Sequence, residues 1–329
     1  MRLGIALSPS DSWHFFRPIH DDFTSRFEVD VFKPYRVNFP FFQERINRWF
    51  YRKQLDEFLK GHDVVFFEWA SGLLAQATAL PKSCRIVTRL HRYEFFEWSG
   101  RIAWEKVDAI ILVSNTMLRM FSEKFPAHRS KCVVIPVGIS TSKFYPGKRI
   151  FHGDIGVLCH ISPRKRIYDL IMAFNELCGI QDGFHLHIAG GYDNAHMDYS
   201  AAIQTLIARL SLEDRITFYG NIKDPSEWYR GMDVFVTNSY AEGMQVAPME
   251  AMASGCYCLS HYWDGAEELL PPENLYISNA ELVEKILEYT RLPESLKQKQ
   301  RSKMRAMACD KFGSEQIAPR IRQVVEQIG

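Results

Sequence analysis

The sequence predicts an α/β protein built from two doubly wound parallel-sheet domains. Three observations carry that prediction. The chain has 329 residues, enough for two ordinary domains. Short apolar runs alternate with stretches of helical period along both halves, as in a parallel sheet covered by helices. Residues 233–260 read as apolar run, small-residue loop, short helix and second apolar run, the strand–loop–helix–strand unit of parallel pairing.

The elements follow in order. Residues 2–7 are a first strand. Residues 46–59 have helical period and gather Ile46, Trp49, Phe50, Leu55, Phe58 and Leu59 on one side. Residues 63–67 form a buried strand, 71–79 a helix, 85–90 a strand ending at His91, 109–113 a strand, 115–124 a helix and 131–136 the last strand of this half. Residues 137–146 carry turn residues and little periodicity, so the linker falls there. The second half opens with strand, turn and helix over 155–174. Further strands lie at 185–191, ending in a Gly-Gly turn, at 215–220, and at 233–237 and 256–260. Ile317, Ile321, Val324, Val325 and Ile328 mark a terminal amphipathic helix with Pro319 near its start.

Composition narrows the class. Hydrophobic content of 47% and charged content of 24% describe a soluble globular chain. A net charge of +1 gives no global argument for nucleic acid or an anionic membrane, and no nucleic-acid partner is expected. The seven cysteines are odd in number, contain no Cys-x-x-Cys pair and read as reduced core residues of a cytoplasmic protein. No apolar run approaches the roughly 20 residues that span a bilayer, and the short first strand is not a signal peptide.

Chemistry concentrates between Glu242 and Glu250. Pro248 suits a first helical turn and Gly255 the position past its end. The N–H groups near Gln245, Val246 and Ala247 would then point out of a helix start, where phosphate binds well. Glu250, placed in the first turn, can accept two hydrogen bonds from a ribose diol. Glu242, on the loop, lies nearer the reacting end of such a ligand. The plainer alternative is a capped surface helix with incidental acids.

The spacing resembles the Glu-x7-Glu motif of retaining glycosyltransferases of family 4, and the context Glu242-Gly-Met, then Pro248-x-Glu-Ala-Met-Ala-x-Gly255, sharpens it. Gly138, Phe144 and Pro146 match that family's linker. His185-Leu-His-Ile-Ala-Gly-Gly191, the strand ending at Gly220 and the Tyr229-x-x-x-Asp233 stretch resemble its later segments, in order, from about 135 to 270. Where the family commonly reads Gly-Arg-Leu-x-x-x-Lys-Gly, Lys165 matches the lysine, His160 stands for the arginine and Arg166 for the glycine, with Arg164 able to restore the charge. The resemblance implies a GT-B fold: two Rossmann-like domains facing an interdomain cleft, the last helix crossing back to the first domain. It places an acceptor-side domain at 1–142 plus 312–329 and a nucleotide-sugar domain at 143–311.

By the same resemblance, Glu242, His91 and Lys165 are the catalytic candidates. Arg164, Lys165, Gly243, Met244, Gln245, Val246, Glu250 and His160 are the donor-binding candidates. His91 resembles the histidine that approaches the donor sugar from the first domain, although a lone histidine also serves structurally. The first loop, 8–13, lacks the usual glycine. No Asp-x-Asp occurs, so no metal or other cofactor is expected. The implied partners are a nucleotide-diphosphate sugar and a glycan or lipid-linked acceptor, in cell-envelope polysaccharide or glycoconjugate synthesis. Residues 36–60 interleave Phe39, Phe41, Phe42, Trp49, Phe50 and Tyr51 with Arg45, Arg48, Arg52 and Lys53. That stretch suits peripheral contact with the inner face of the cytoplasmic membrane, or a helix with one packed and one solvated face. A non-catalytic binding partner on the same fold, or a nucleotide-sugar epimerase, are the alternative functions.

Overall fold

The computed structural model describes residues 1–7, 13, 16–36, 43–147 and 150–329. The chain divides into two compact units, Met1–Gly138 with Ser314–Gly329, and Ile139–Gly313. The crossings thus fall a few residues from the 142/143 and 311/312 boundaries expected from sequence.

The first unit runs β1 (Arg2–Ala6), α1 (Arg17–Thr24), β2 (Glu28–Val31), α2 (Gln43–Lys60), β3 (Val64–Phe67), α3 (Gly72–Thr78), β4 (Arg85–Leu90), α4 (Arg92–Glu97), β5 (Ala109–Leu112), α5 (Asn115–Lys124) and β6 (Cys132–Val134). Its strands pair in the order β2-β1-β3-β4-β5-β6, all in parallel. Val64–Phe67 and Ala109–Leu112 are fully buried runs, as central parallel strands covered on both faces require. Ser114 Oγ accepts the Met117 N–H and starts α5.

The second unit runs β7 (Asp154–Leu158), α6 (Ile167–Ile180), β8 (His185–Ala189), α7 (Met197–Leu210), β9 (Ile216–Gly220), α8 (Pro225–Arg230), β10 (Val234–Thr237), α9 (Val246–Ala253), β11 (Tyr257–His261), β12 (Leu275–Tyr276), α10 (Asn279–Arg291) and α11 (Glu294–Phe312). The order is β12-β11-β10-β7-β8-β9, again parallel. Winding therefore reverses between β7 and β10, and ligands of such sheets bind outside the strand ends at that reversal. Asp233 fixes the pair at its other end. Its Oδ2 accepts the N–H groups of His152, Gly153 and Asp154 at 2.7, 2.9 and 3.1 Å. Gly190 has φ +117°, and a Cβ there would lie 1.8 Å from the Cys159 carbonyl oxygen, so the turn after β8 admits only glycine against the end of β7.

The last helix, α12 (Ser314–Ile328), belongs to the first unit. Ile317, Ile321 and Val325 are buried with Leu3, Ile5, Phe16, Phe23, Val64 and Phe66. Arg322 Nε bonds Asp22 Oδ2 at 2.9 Å and ties α12 to α1.

Three expectations need correction. Trp49 is 59% exposed rather than packed, because α2 buries only Leu55 and Leu59 fully and turns its first half outward. Glu250 is the fifth residue of α9, at the start of the second turn, since the helix begins at Val246. Of the cysteines, all free, only Cys256 and Cys258 are buried; the other five are half-buried. Residues 8–12, and Phe39, Phe41 and Phe42, lie outside the described residues. No helix among the described residues is long and apolar enough to cross a membrane.

Candidate functional site

The reversal between β7 and β10 brings two loops together. After β7 the chain makes a tight turn through Pro163–Lys165 and enters α6 at Arg166. Arg166 adopts φ 51°, ψ 42°, the left-handed conformation that glycine supplies elsewhere, so the backbone keeps a glycine's shape with an arginine in it. After β10 the chain runs from Asn238 to Gln245 before α9. The loops are stitched by three bonds: the Tyr240 N–H to Arg164 O (3.3 Å), Arg164 Nη1 to Ala241 O (3.0 Å) and Asn238 Nδ2 to Arg166 O (2.9 Å).

That stitching delivers Glu242 to two cations. Its Oε1 lies 2.6 Å from Lys165 Nζ and 2.7 Å from Arg164 Nη1. Burial pushes the Glu242 carboxyl up, but the charges of Lys165 and Arg164, with hydrogen bonds from Lys165 and Gln245, outweigh it and hold the group below its usual range. Gln245 is itself fixed, its Oε1 accepting the Thr237 hydroxyl at 2.7 Å and its amide turned toward Glu242. Ser239 Oγ is buried with no hydrogen-bond partner among the described residues. An unpaired buried hydroxyl beside a charged cluster fits a site that takes a polar ligand.

Gly243 is buried, and Met244 and Val246 are half-buried, at the approach to α9. No side chain caps that helix; Gln245 holds the cap position with extended backbone. Its first amides therefore have no side-chain cap, the arrangement in which helix starts bind anions. Pro248, Met249, Ala251, Met252 and Ala253 pack inward. Gly255, at φ +82°, closes the end of α9, where a Cβ would meet Pro146 Cβ at 3.0 Å.

Glu250 stands apart from the Glu242 cluster. Tyr229, fully buried, donates its hydroxyl to Glu250 Oε2 at 3.0 Å. Burial pushes the Glu250 carboxyl up to about 7, and the Tyr229 bond pulls it only part of the way back. Reading the sequence did not assign Tyr229 this role; the signal available was an aromatic in the stretch leading to Asp233. His160 is exposed and makes no hydrogen bond or ion pair among the described residues, so the structure does not join it to Lys165 and Glu242.

His91 belongs to the first unit. It follows β4 and holds the cap position of α4. Its ring lies against Trp69, centroids 4.3 Å apart, with Nε2 3.9 Å from Glu68 Oε1. Glu68 and Arg89, its neighbours there, were not singled out as a pair by sequence. Among the described residues no group of three or more His, Cys, Asp or Glu side chains could hold a metal ion.

Comparison with known proteins agrees with this architecture. Residues 152–291 match the family described as Glycosyl transferases group 1, and residues 9–143 match Glycosyltransferase Family 4. A mannosylfructose-phosphate synthase from Agrobacterium fabrum is 26% identical over 170 residues, 47% of this chain and 37% of that protein. The lipopolysaccharide core biosynthesis mannosyltransferase LpsB of Rhizobium meliloti is 35% identical over 68 residues, 21% of this chain and 19% of that protein. The matched segments thus span well under two thirds of these relatives. The crystal structure of Anabaena Alr3699/HepE in complex with UDP and glucose superposes with a TM-score of 0.81 at 16% identity, covering 99% of both chains. With both halves matched in order and two doubly wound parallel sheets, the chain belongs to glycosyltransferase family 4 and has the GT-B fold.

Proposed function

We propose that the chain is a retaining glycosyltransferase that moves a sugar from a nucleotide-diphosphate sugar to a hydroxyl of a glycan or lipid-linked acceptor. The observation that carries this reading is the convergence of Lys165, Arg164 and Glu242 at the reversal between β7 and β10. Two cations and an uncapped helix start suit a departing diphosphate, whose negative charge grows as the bond breaks. In the proposed reaction the bond from the sugar's C1 to the diphosphate oxygen breaks. The acceptor oxygen bonds to C1 with configuration retained, and the acceptor's proton leaves with the nucleoside diphosphate. Glu242 positions the donor sugar, with the amides of Gly243, Met244 and Gln245 beside it. Glu250 holds the ribose diol. His91 is a substrate contact of the first unit, and that unit recognises the acceptor.

The neighbour solved with UDP and glucose supports a nucleoside diphosphate donor. Relatives named as mannosyltransferases of lipopolysaccharide core synthesis support an envelope glycan as acceptor. The absence of Asp-x-Asp supports charge neutralisation by side chains and helix start in place of a bridging metal. The exposed Trp49 on α2, with Arg45, Arg48, Arg52 and Lys53 around it, supports peripheral contact with an anionic inner leaflet.

The test is a thermal-shift screen against UDP, GDP, ADP, dTDP and CMP and their sugars, without magnesium. A ligand of the native state raises Tm by mass action. One clear stabiliser that fails with Glu250→Ala supports transfer and names the base. Proton NMR of the product anomer then decides retention. A second reading, a non-catalytic binding partner, rests on the disengaged His160; a folded protein that no nucleotide stabilises would favour it.

A further inference from the structure

The C-terminal ends of β3 and β4 hold a buried charged cluster. Glu68 follows β3 and Arg89 lies within β4; both side chains are 0% exposed, and Arg89 Nη1 donates to Glu68 Oε1 at 2.8 Å. Arg89 Nη2 also donates to Pro136 O at 3.3 Å. Burying an ion pair this completely costs several kcal/mol per ion, and in other proteins apolar residues of similar volume often serve as well or better. The pair is also incompletely satisfied. Glu68 Oε2 and Arg89 Nε are buried with no hydrogen-bond partner among the described residues, as is His91 Nε2.

His91 is the group these charges address. Its ring is confined on one face by Trp69 at 4.3 Å and an interplanar angle of 31°. Its Nε2 edge faces Glu68 Oε1 at 3.9 Å. Nδ1 makes no hydrogen bond among the described residues and is not among the buried unpartnered atoms, so it is the ring nitrogen left accessible. The 3.9 Å gap is about 1 Å longer than a hydrogen bond, and such contacts commonly tighten only when substrate is bound.

We propose that Glu68 is the positioning residue of His91. Arg89 fixes the carboxylate and Trp69 fixes the ring plane. Glu68 accepts the Nε2 proton, and the imidazole keeps the tautomer whose bare Nδ1 accepts a hydrogen bond from a substrate hydroxyl. A carboxylate behind a histidine sets tautomer and orientation in this way in other catalytic sites. The inference rests on the proposed role of His91 toward substrate, but its first test needs no substrate.

In protein labelled with 15N-histidine at about pH 8.5, where imidazole is neutral, wild-type His91 is expected in the Nε2–H form. Glu68→Gln keeps the volume but offers an amide donor, and is expected to move the ring toward the Nδ1–H form. It is also expected to lower kcat by about a hundredfold, the cost of a misplaced reacting group, with donor KM little changed. Glu68→Asp should recover part of both. Should the lost charge impair folding, Glu68→Met with Arg89→Met removes both ions without stranding either. A folded double variant that turns over at the wild-type rate overturns the proposal, as does an unchanged tautomer in Glu68→Gln. A tautomer shift in a protein whose wild type transfers no sugar would instead uphold the positioning and sink the transferase reading.

Discussion

Lys165 and Glu242 are joined by a 2.6 Å contact between Nζ and Oε1, and Arg164 approaches the same oxygen. The two cations assigned to the diphosphate are engaged by a carboxylate. An arriving diphosphate competes for them. Glu242→Gln is therefore expected to bind free nucleoside diphosphate about tenfold more tightly, the worth of one charge-assisted bond, while losing turnover. Lys165→Ala is expected to lower kcat/KM by about a hundredfold or more. Titration calorimetry and steady-state rates check the pair; weaker diphosphate binding by Glu242→Gln would refute the competition.

With Glu250 on the proposed ribose site, nucleotide affinity is expected to depend on pH. Its carboxyl is raised to about 7 by burial, so the folded protein holds that proton where the unfolded chain has lost it. The stability it contributes is full below about 4.5 and is lost as pH rises through about 7. A ribose diol donates hydrogen bonds, so it prefers the ionised form. Donor binding is expected to weaken up to about tenfold for each pH unit below 7. The difference between wild type and Glu250→Gln isolates that slope from the ligand's own ionisation. A difference that does not change between pH 5.5 and 8 would contradict the assignment.

Asp233 accepts three backbone N–H groups with one oxygen. Asp233→Ala strands all three at the start of β7. The expected loss is about 3 kcal/mol or more, read as a lower denaturation midpoint at unchanged m-value. A shift under about 0.5 kcal/mol, typical of surface positions, would mean that water replaces the carboxylate at no cost.

Acid should weaken the second unit through its β7–β8–β9 face. His187 Nε2 lies 2.9 Å from Asp154 Oδ1, and its Nδ1 is 2.8 Å from the Tyr219 hydroxyl. Asp154 is held below its usual range, chiefly by the His187 bond, and His185 is lowered by burial and by His187. Both shifts have one sign: stability present above the unfolded values, 6.5 for His185 and 3.8 for Asp154, is lost as pH falls through the folded ones. His185→Gln should flatten the part of the Tm profile just below pH 6.5, measured by calorimetry; an unaltered slope there would exclude His185.

What the sequence made legible was local chemistry on short segments. Glu242, Gln245 and Pro248 announce a loop running into a helix, and Lys165 sits on a strand-to-helix turn, so their place at strand ends follows from periodicity and parallel pairing. Contacts made by the winding of the chain were not legible. Tyr229 meets Glu250 only because α8 packs beside α9. Glu68 sits at the end of an apolar run where nothing nearby in sequence suggests an ion pair, and Arg89 reaches it across the sheet. β2, an edge strand reading Glu-Val-Asp-Val, lacks the apolar run of its neighbours. α10 did carry a start signal: Ser278 Oγ accepts the Glu281 N–H while Glu281 Oε2 reaches back to the Ile277 N–H. An arginine does not itself advertise a left-handed backbone, and for Arg166 the signal was only the glycine that the family has at that place.

The Arg322–Asp22 bond spans 300 residues, and Ile317, Ile321 and Val325 complete a core begun by Leu3 and Ile5. A ribosome delivers Asp22 some 300 residues ahead of Arg322. The sheet of the first unit therefore emerges with one wall of its core missing and waits, apolar face uncovered, until the second unit has been made. An expression fragment ending near Gly138 would keep its missing wall for good, whereas a circular permutant placing α12 ahead of β1 would let the first unit close early.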